Sequence, residues 1–75
     1  MIFYKIDVFK ELKERGYNQT RLQHENLLPK QTMTNIRAGK SITFETLNKL
    51  CVMLKMQPGD IIGFEATDEE KIKYY

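Results

Sequence analysis

At 75 residues, 41% of them hydrophobic, the chain has enough material for one domain around one thin core. No window holds the roughly 18–20 consecutive apolar residues of a membrane helix, Met1–Tyr4 is too short for the apolar region of a secretory signal, and the lone Cys51 excludes an internal disulfide or a thiolate pair for a metal. The net charge of +2 points to no partner by its size, and matters only through where the charges fall.

In chain order, residues 1–6 are rich in aromatic and β-branched types and read as a short strand or an extended lead-in. Asp7 is placed to cap a first helix, whose apolar stripe is Val8, Phe9 and Leu12 and whose end is set by Gly16. Tyr17 is expected to fold back on the core. Asn18 caps a second helix over roughly Gln19–Asn26, with Leu22 turned inward. Pro29 removes an amide donor and pushes Leu28 toward extended geometry, so no helix runs through it. A third helix is expected to start at Pro29 or Lys30, run to Ala38 and stop at Gly39.

Thr43 is a good cap for a fourth helix that carries Phe44, Leu47, Leu50, Cys51 and Leu54 on one side. Gln57-Pro58-Gly59-Asp60 is a turn, with a last helical turn holding Ile61 and Ile62. Residues 62–66 are suited to pair as a strand with residues 2–5. Beyond Thr67 the chain is acidic and polar, and a mobile tail or a short terminal helix is expected there. The division is thus a domain over 1–66 and a tail over 67–75.

The charges are unevenly shared. Residues 1–40 hold eight Lys or Arg against four Asp or Glu, whereas residues 60–75 hold two against five. No acidic side chain occurs between Asn26 and Ile42. This acid-free stretch contains the third helix, where a turn of about 100° per residue puts Met33 and Ile36 on one side, with Thr32 beside them. Lys30, Gln31, Thr34 and Asn35 fall on the other. Gln and Asn give and accept together, as an adenine edge requires; Lys reaches guanine acceptors, and a Thr methyl meets thymine. Gln19, Thr20, Arg21, Arg37, Lys40, Ser41 and Thr43 are placed to hold a phosphate backbone. Composition alone does not separate such a helix from an ordinary solvated one; the ordered arrangement of two short helices and a tight turn does.

Residues 7–62 resemble the Cro/CI-type (XRE-like) helix-turn-helix family of phage and bacterial transcriptional regulators. The likeness is carried by Asn18-Gln19-Thr20-Arg21-Leu22, by Thr32 to Lys40, by Thr43 to Cys51, and by Leu54 with Pro58-Gly59-Asp60-Ile61-Ile62. It implies an all-α fold, a compact bundle of about five short helices with a central helix-turn-helix; the short two-stranded ribbon of the termini is expected from the residues themselves. It also implies that the third helix is the recognition helix. The family's base-reading positions map onto Lys30, Gln31, Thr34 and Asn35, and its backbone-contacting positions onto Gln19 and Lys40 to Thr43. Two residues depart from the pattern. Gln23 stands where the family has a small residue, and Leu27 stands where its turn often has Gly. Either Asn26 takes the positive φ instead, or the turn is reshaped.

The expected function is therefore a sequence-specific DNA-binding regulator, a repressor working in the cytoplasm. Its partner is double-stranded DNA, bound as a homodimer because one helix reads too few base pairs. Ile2, Phe3, Tyr4 and Phe64 are candidates for the contact between copies. The alternative is a protein-interaction module of the same fold, antitoxin-like or anti-repressor, docking through its acidic tail. Cys51 and His24 make a conceivable nucleophile pair, but Cys51 falls in an apolar helix, as a structural thiol does. No enzyme activity, metal, cofactor, small-molecule substrate or membrane contact is expected.

Overall fold

A computed structural model describes residues 1–75. Asp7, Asn18 and Thr43 each turn a side-chain oxygen onto a backbone amide three residues ahead, and so start α1 (Val8–Glu14), α2 (Gln19–His24) and α4 (Phe44–Leu54). Between them α3 (Lys30–Arg37) begins at Pro29, which caps with no side-chain bond. Pro58 opens the single turn of α5 (Pro58–Ile61), closed by reciprocal bonds between Gln57 and Asp60. Two strands, β1 (Ile2–Tyr4) and β2 (Ile62–Phe64), pair antiparallel with Ile2 opposite Phe64 and Tyr4 opposite Ile62. The last element is α6 (Asp68–Tyr74). The molecule is thus mostly helical but has six helices rather than about five, and the terminal ribbon is a true two-stranded sheet.

Four successive helices end in the same way, α4 through Lys55 at φ 56° with the Met56 amide reaching back to Cys51 at 3.2 Å. After α1, α2 and α3 the chain passes through a left-handed residue, Gly16 at φ 86°, Asn26 at φ 53° and Gly39 at φ 71°. Each time the next amide reaches back five residues: Tyr17 to Leu12 at 2.8 Å, Leu27 to Leu22 at 3.0 Å, and Lys40 to Asn35 at 2.8 Å. These bonds satisfy carbonyls that a helix end leaves open. Of the two possibilities for the α2–α3 turn, Asn26 adopts the positive φ, which its short polar side chain tolerates better than Leu27 would. Gln23 is exposed, so its length extends into solvent and does not wedge α2 from α3.

The core is a cluster of buried apolar side chains drawn from every helix except α6, centred on Leu12, Leu22, Leu50 and Ile61, none of which has measurable exposure. Leu28 from the turn fills the space between α2 and α3. Burying one such leucine is worth about 1.5–3 kcal/mol. Tyr17, Leu27 and Met56 pack against this cluster from its margin.

Phe44 breaks the expected pattern. The apolar stripe puts it with Leu47 and Leu50 on one side of α4, yet 89% of it is exposed, while Met53, outside that stripe, is 9% exposed. The periodicity places Phe44 over Leu47 correctly, but as the first residue of α4 it overhangs the edge of a thin core and has nothing beneath it.

The segment after Thr67 forms a helix. Thr67 and Glu70 close a reciprocal cap at its start, and the Met1 ammonium bonds the Glu65 carbonyl and, at 2.6 Å, the Glu70 carboxylate. None of its residues is buried. The long dimension of the molecule, 45 Å against 22 and 19 Å, is accordingly greater than a bundle of this size needs. No helix is long and apolar enough to cross a membrane.

Candidate nucleic-acid interface

Met33 and Ile36 are 1% and 6% exposed and fix the rotation of α3 on the core. The opposite face is then settled by helical geometry. Lys30, Gln31 and Thr34 lie in solvent, and Asn35 is half-buried beside them. The four predicted base-facing residues therefore share one face of one rigid element.

Two internal bonds order this face. Gln31 donates from Nε2 to Asn35 Oδ1 at 3.1 Å, one helical turn away. That bond leaves the Gln31 carbonyl as an acceptor and the Asn35 amide as a donor, neither used by another bond within the chain. The Thr34 hydroxyl donates to the Lys30 carbonyl at 3.1 Å, one helical turn back. No salt bridge involves Lys30, Arg37 or Lys40, so these charges are available to an anion.

The flanking residues fall into three groups. Gln19 and Arg37 are joined: Arg37 donates to Gln19 Oε1 at 2.8 Å and lies 4.5 Å over the Phe9 ring. This bond ties the start of α2 to the end of α3 across the turn and fixes the two helices relative to one another. Lys40, Ser41 and Thr43 follow α3 directly, and the Lys40 carbonyl accepts the Tyr4 hydroxyl at 2.8 Å. Burial pushes the Tyr4 phenol above its ordinary pKa of 10.0 and keeps it a donor. Thr20 is exposed on the first turn of α2. Arg21 stands apart from the other predicted phosphate contacts. Its guanidinium bonds Glu25 at 2.8 Å and the Gly16 carbonyl at 3.2 Å and lies 4.4 Å over Tyr17, so its charge is already matched within the chain.

A notch of about 210 Å³ opens between α3 and the start of α4. Thr32, Asn35, Ser41, Thr43 and Thr46 line it, so four hydroxyls and an amide converge beside the free amides of a helix N-terminus. Thr32 and Thr46 were missed as polar contacts in the sequence. Thr46 had a signal, since it stands three residues after the cap and the Thr43 hydroxyl bonds it at 3.2 Å. Thr32 had none, because its neighbours in the notch come from the next helix.

Elsewhere the chemistry is sparse. His24 is exposed at the end of α2, Cys51 is half-buried in α4, and no hydrogen bond joins them. No group of three His, Cys, Asp or Glu side chains is placed to hold a metal ion.

A profile of the Cro/C1-type helix-turn-helix DNA-binding domain matches residues 9–67. The chain belongs to that family. No curated protein and no solved structure matches it at a significant level. The matched span runs from the first turn of α1 to the cap of α6, and so takes in the whole helix-turn-helix and β2. β1 and the body of α6 lie outside it. As a Cro/C1-type domain the chain is a DNA-binding protein, and the face of α3 described above is the part of it that projects from a helix-turn-helix pair.

Proposed function

We propose that this Cro/C1-type protein is a sequence-specific transcriptional regulator whose α3 enters the major groove of double-stranded DNA. Lys30, Gln31, Thr34 and Asn35 read base edges. Gln19, Thr20, Arg37, Lys40, Ser41 and Thr43 hold phosphates, with Arg21 contributing once it leaves Glu25. The observation that carries this reading is the outward face of α3, which is polar, free of carboxylates and ordered by the Gln31–Asn35 bond. A pre-ordered pair loses less side-chain freedom on meeting a base than two free chains would.

One α3 spans too few base pairs to select a site in a genome, so the working unit is a homodimer on two half-sites. Occlusion of a promoter needs nothing beyond the bound domain, and repression in the cytoplasm is the proposed mode. The competing reading, an antitoxin-like or anti-repressor interaction module, draws on the exposed Ile72, Tyr74 and Tyr75 of the terminal helix. A complex of that kind persists at high salt, where phosphate contacts dissolve.

Selection from a pool of randomised duplexes across a salt series tests the proposal. A reader of base edges enriches one motif and loses affinity steeply with salt, by about 0.9 in log–log slope per phosphate neutralised. If no motif emerges and affinity is flat with salt, the proposal is wrong.

A further inference from the structure

Lys40 is held from two directions. Its amide donates to the Asn35 carbonyl in α3, and its carbonyl accepts the Tyr4 hydroxyl from β1, each at 2.8 Å. The peptide groups on both sides of Lys40 are therefore fixed, one by α3 and the other by the ribbon. A trans peptide sends its C=O and its N–H in opposite directions, and the chain has no cis bond. The carbonyl that turns to Tyr4 thus turns the Ser41 amide away from it. Ser41 and Ile42 are shared by the cleft that contains Tyr4 and by the notch of Thr32, Asn35, Thr43 and Thr46, and so stand between the two. The Ser41 amide is directed to the notch side. Ser41 is exposed, and no group of the chain accepts from its amide.

The support behind Tyr4 does not depend on this loop. Tyr4 pairs with Ile62 across the ribbon. The next amide, that of Lys5, donates to the carbonyl of Ile61, and the Lys5 ammonium bonds the Gly59 carbonyl, each at 2.8 Å. Ile61 is fully buried. The Tyr4 ring packs at the margin of the core, and only its hydroxyl reaches Lys40. No other side chain bonds the backbone of the loop between Gly39 and Thr43. Without that bond the loop must be ordered when it meets a phosphate, at a cost in conformational freedom. Tyr4 also lies outside residues 9–67, so the shared helix-turn-helix pattern does not supply this contact.

We propose that Tyr4 is a positioning residue for the phosphate contact at Lys40–Thr43: its hydroxyl sets the Lys40–Ser41 peptide so that the Ser41 amide meets a phosphate oxygen of the duplex. The inference rests on the regulator reading. It adds a residue from outside the helix-turn-helix that tunes affinity without carrying charge.

Tyr4→Phe tests this, because it removes the hydroxyl and keeps the ring. Anisotropy titrations over a salt series compare it with wild type and Lys40→Ala, on the selected duplex and on unselected ones, at a temperature where circular dichroism shows each protein fully helical. Tyr4→Phe should weaken binding to every sequence by roughly 3- to 10-fold, as loss of one hydrogen bond does. Its log–log salt slope should match wild type, since no cation is lost, whereas Lys40→Ala should flatten the slope by about 1. Nitrogen–proton correlation spectra follow the Ser41 amide directly. In wild type it should shift downfield when duplex is added, and in Tyr4→Phe that shift should shrink. A hydroxyl that only steadies the ribbon predicts lower stability in urea with affinity and the Ser41 shift unchanged, and that result overturns the proposal. A loss confined to one sequence, or a flattened slope, overturns it as well. If wild type binds no duplex, the regulator reading falls and this inference with it. If Lys40→Ala loses affinity and Tyr4→Phe does not, the reading stands and the role of Tyr4 alone is wrong.

Discussion

The bond between Gln31 and Asn35 makes a quantitative claim about base reading. A bidentate amide contact to an adenine discriminates by about 1–3 kcal/mol, or roughly 5- to 150-fold in affinity. Gln31→Ala removes that contact. It also removes the partner that holds Asn35 at 3.1 Å in the free protein, so Asn35 must then be ordered on the DNA, at about 0.5–1.5 kcal/mol per side chain. Asn35→Ala does the same to Gln31. The two single losses therefore each contain an ordering cost that the double variant does not, and the double should lose less than their sum by about 1–3 kcal/mol.

The assay is fluorescence anisotropy at fixed salt on the selected duplex and its single-base variants, with all four proteins of the cycle. Binding to the unselected duplexes serves as the baseline. Additivity within about 0.3 kcal/mol means the two residues act independently and the paired face is not pre-ordered. A base preference untouched by Gln31→Ala moves the reading face elsewhere on the protein.

Lys40→Ala should weaken binding to every sequence alike and flatten the log–log salt slope by about 1, measured by the same anisotropy titrations; a sequence-selective loss would make Lys40 a base contact. Met33→Ala should cost about 2–5 kcal/mol in urea unfolding, since Met33 is 1% exposed and anchors α3, and a cost below 1 kcal/mol means α3 is rotated differently on the core. Asn26→Val should cost about 1–2 kcal/mol by forcing a β-branched residue to φ 53°, whereas Asn26→Gly should stay within about 0.5 kcal/mol of wild type; equal effects would remove the left-handed turn. The Met1 ammonium beside Glu70 holds that carboxyl below its ordinary 4.5. A lowered folded-state pKa contributes stability above 4.5 that is lost as pH falls through the folded value, so amide exchange in α6 should accelerate there, and Glu70→Gln should abolish that pH step.

What the sequence disclosed followed the range of the interactions. Asp7, Asn18 and Thr43 act on amides three residues away, and the Met33–Ile36 spacing fixes one helix face, so helix starts and the outward side of α3 were legible. The α2–α3 turn was half legible. The departure at Leu27 marked the place, but only the amide bonds back to Leu22 and Gln23 decide that Asn26 carries the positive φ. Arg21 reads as a free charge in the sequence, because Glu25 is as easily a solvated neighbour as an ion-pair partner; the packing over Tyr17 decides it.

Phe44 shows the limit most clearly. Periodicity reports which side of a helix a residue occupies, and it is blind to whether the core extends far enough along the axis to meet it. In a chain with eleven buried residues the core ends before α4 begins, so an apolar residue at the inner angle is left in solvent. Only Phe44 is misplaced by its pattern, because a ribbon of the two termini is expected from the sequence to show apolar side chains, and Ile2 and Phe64 are both exposed.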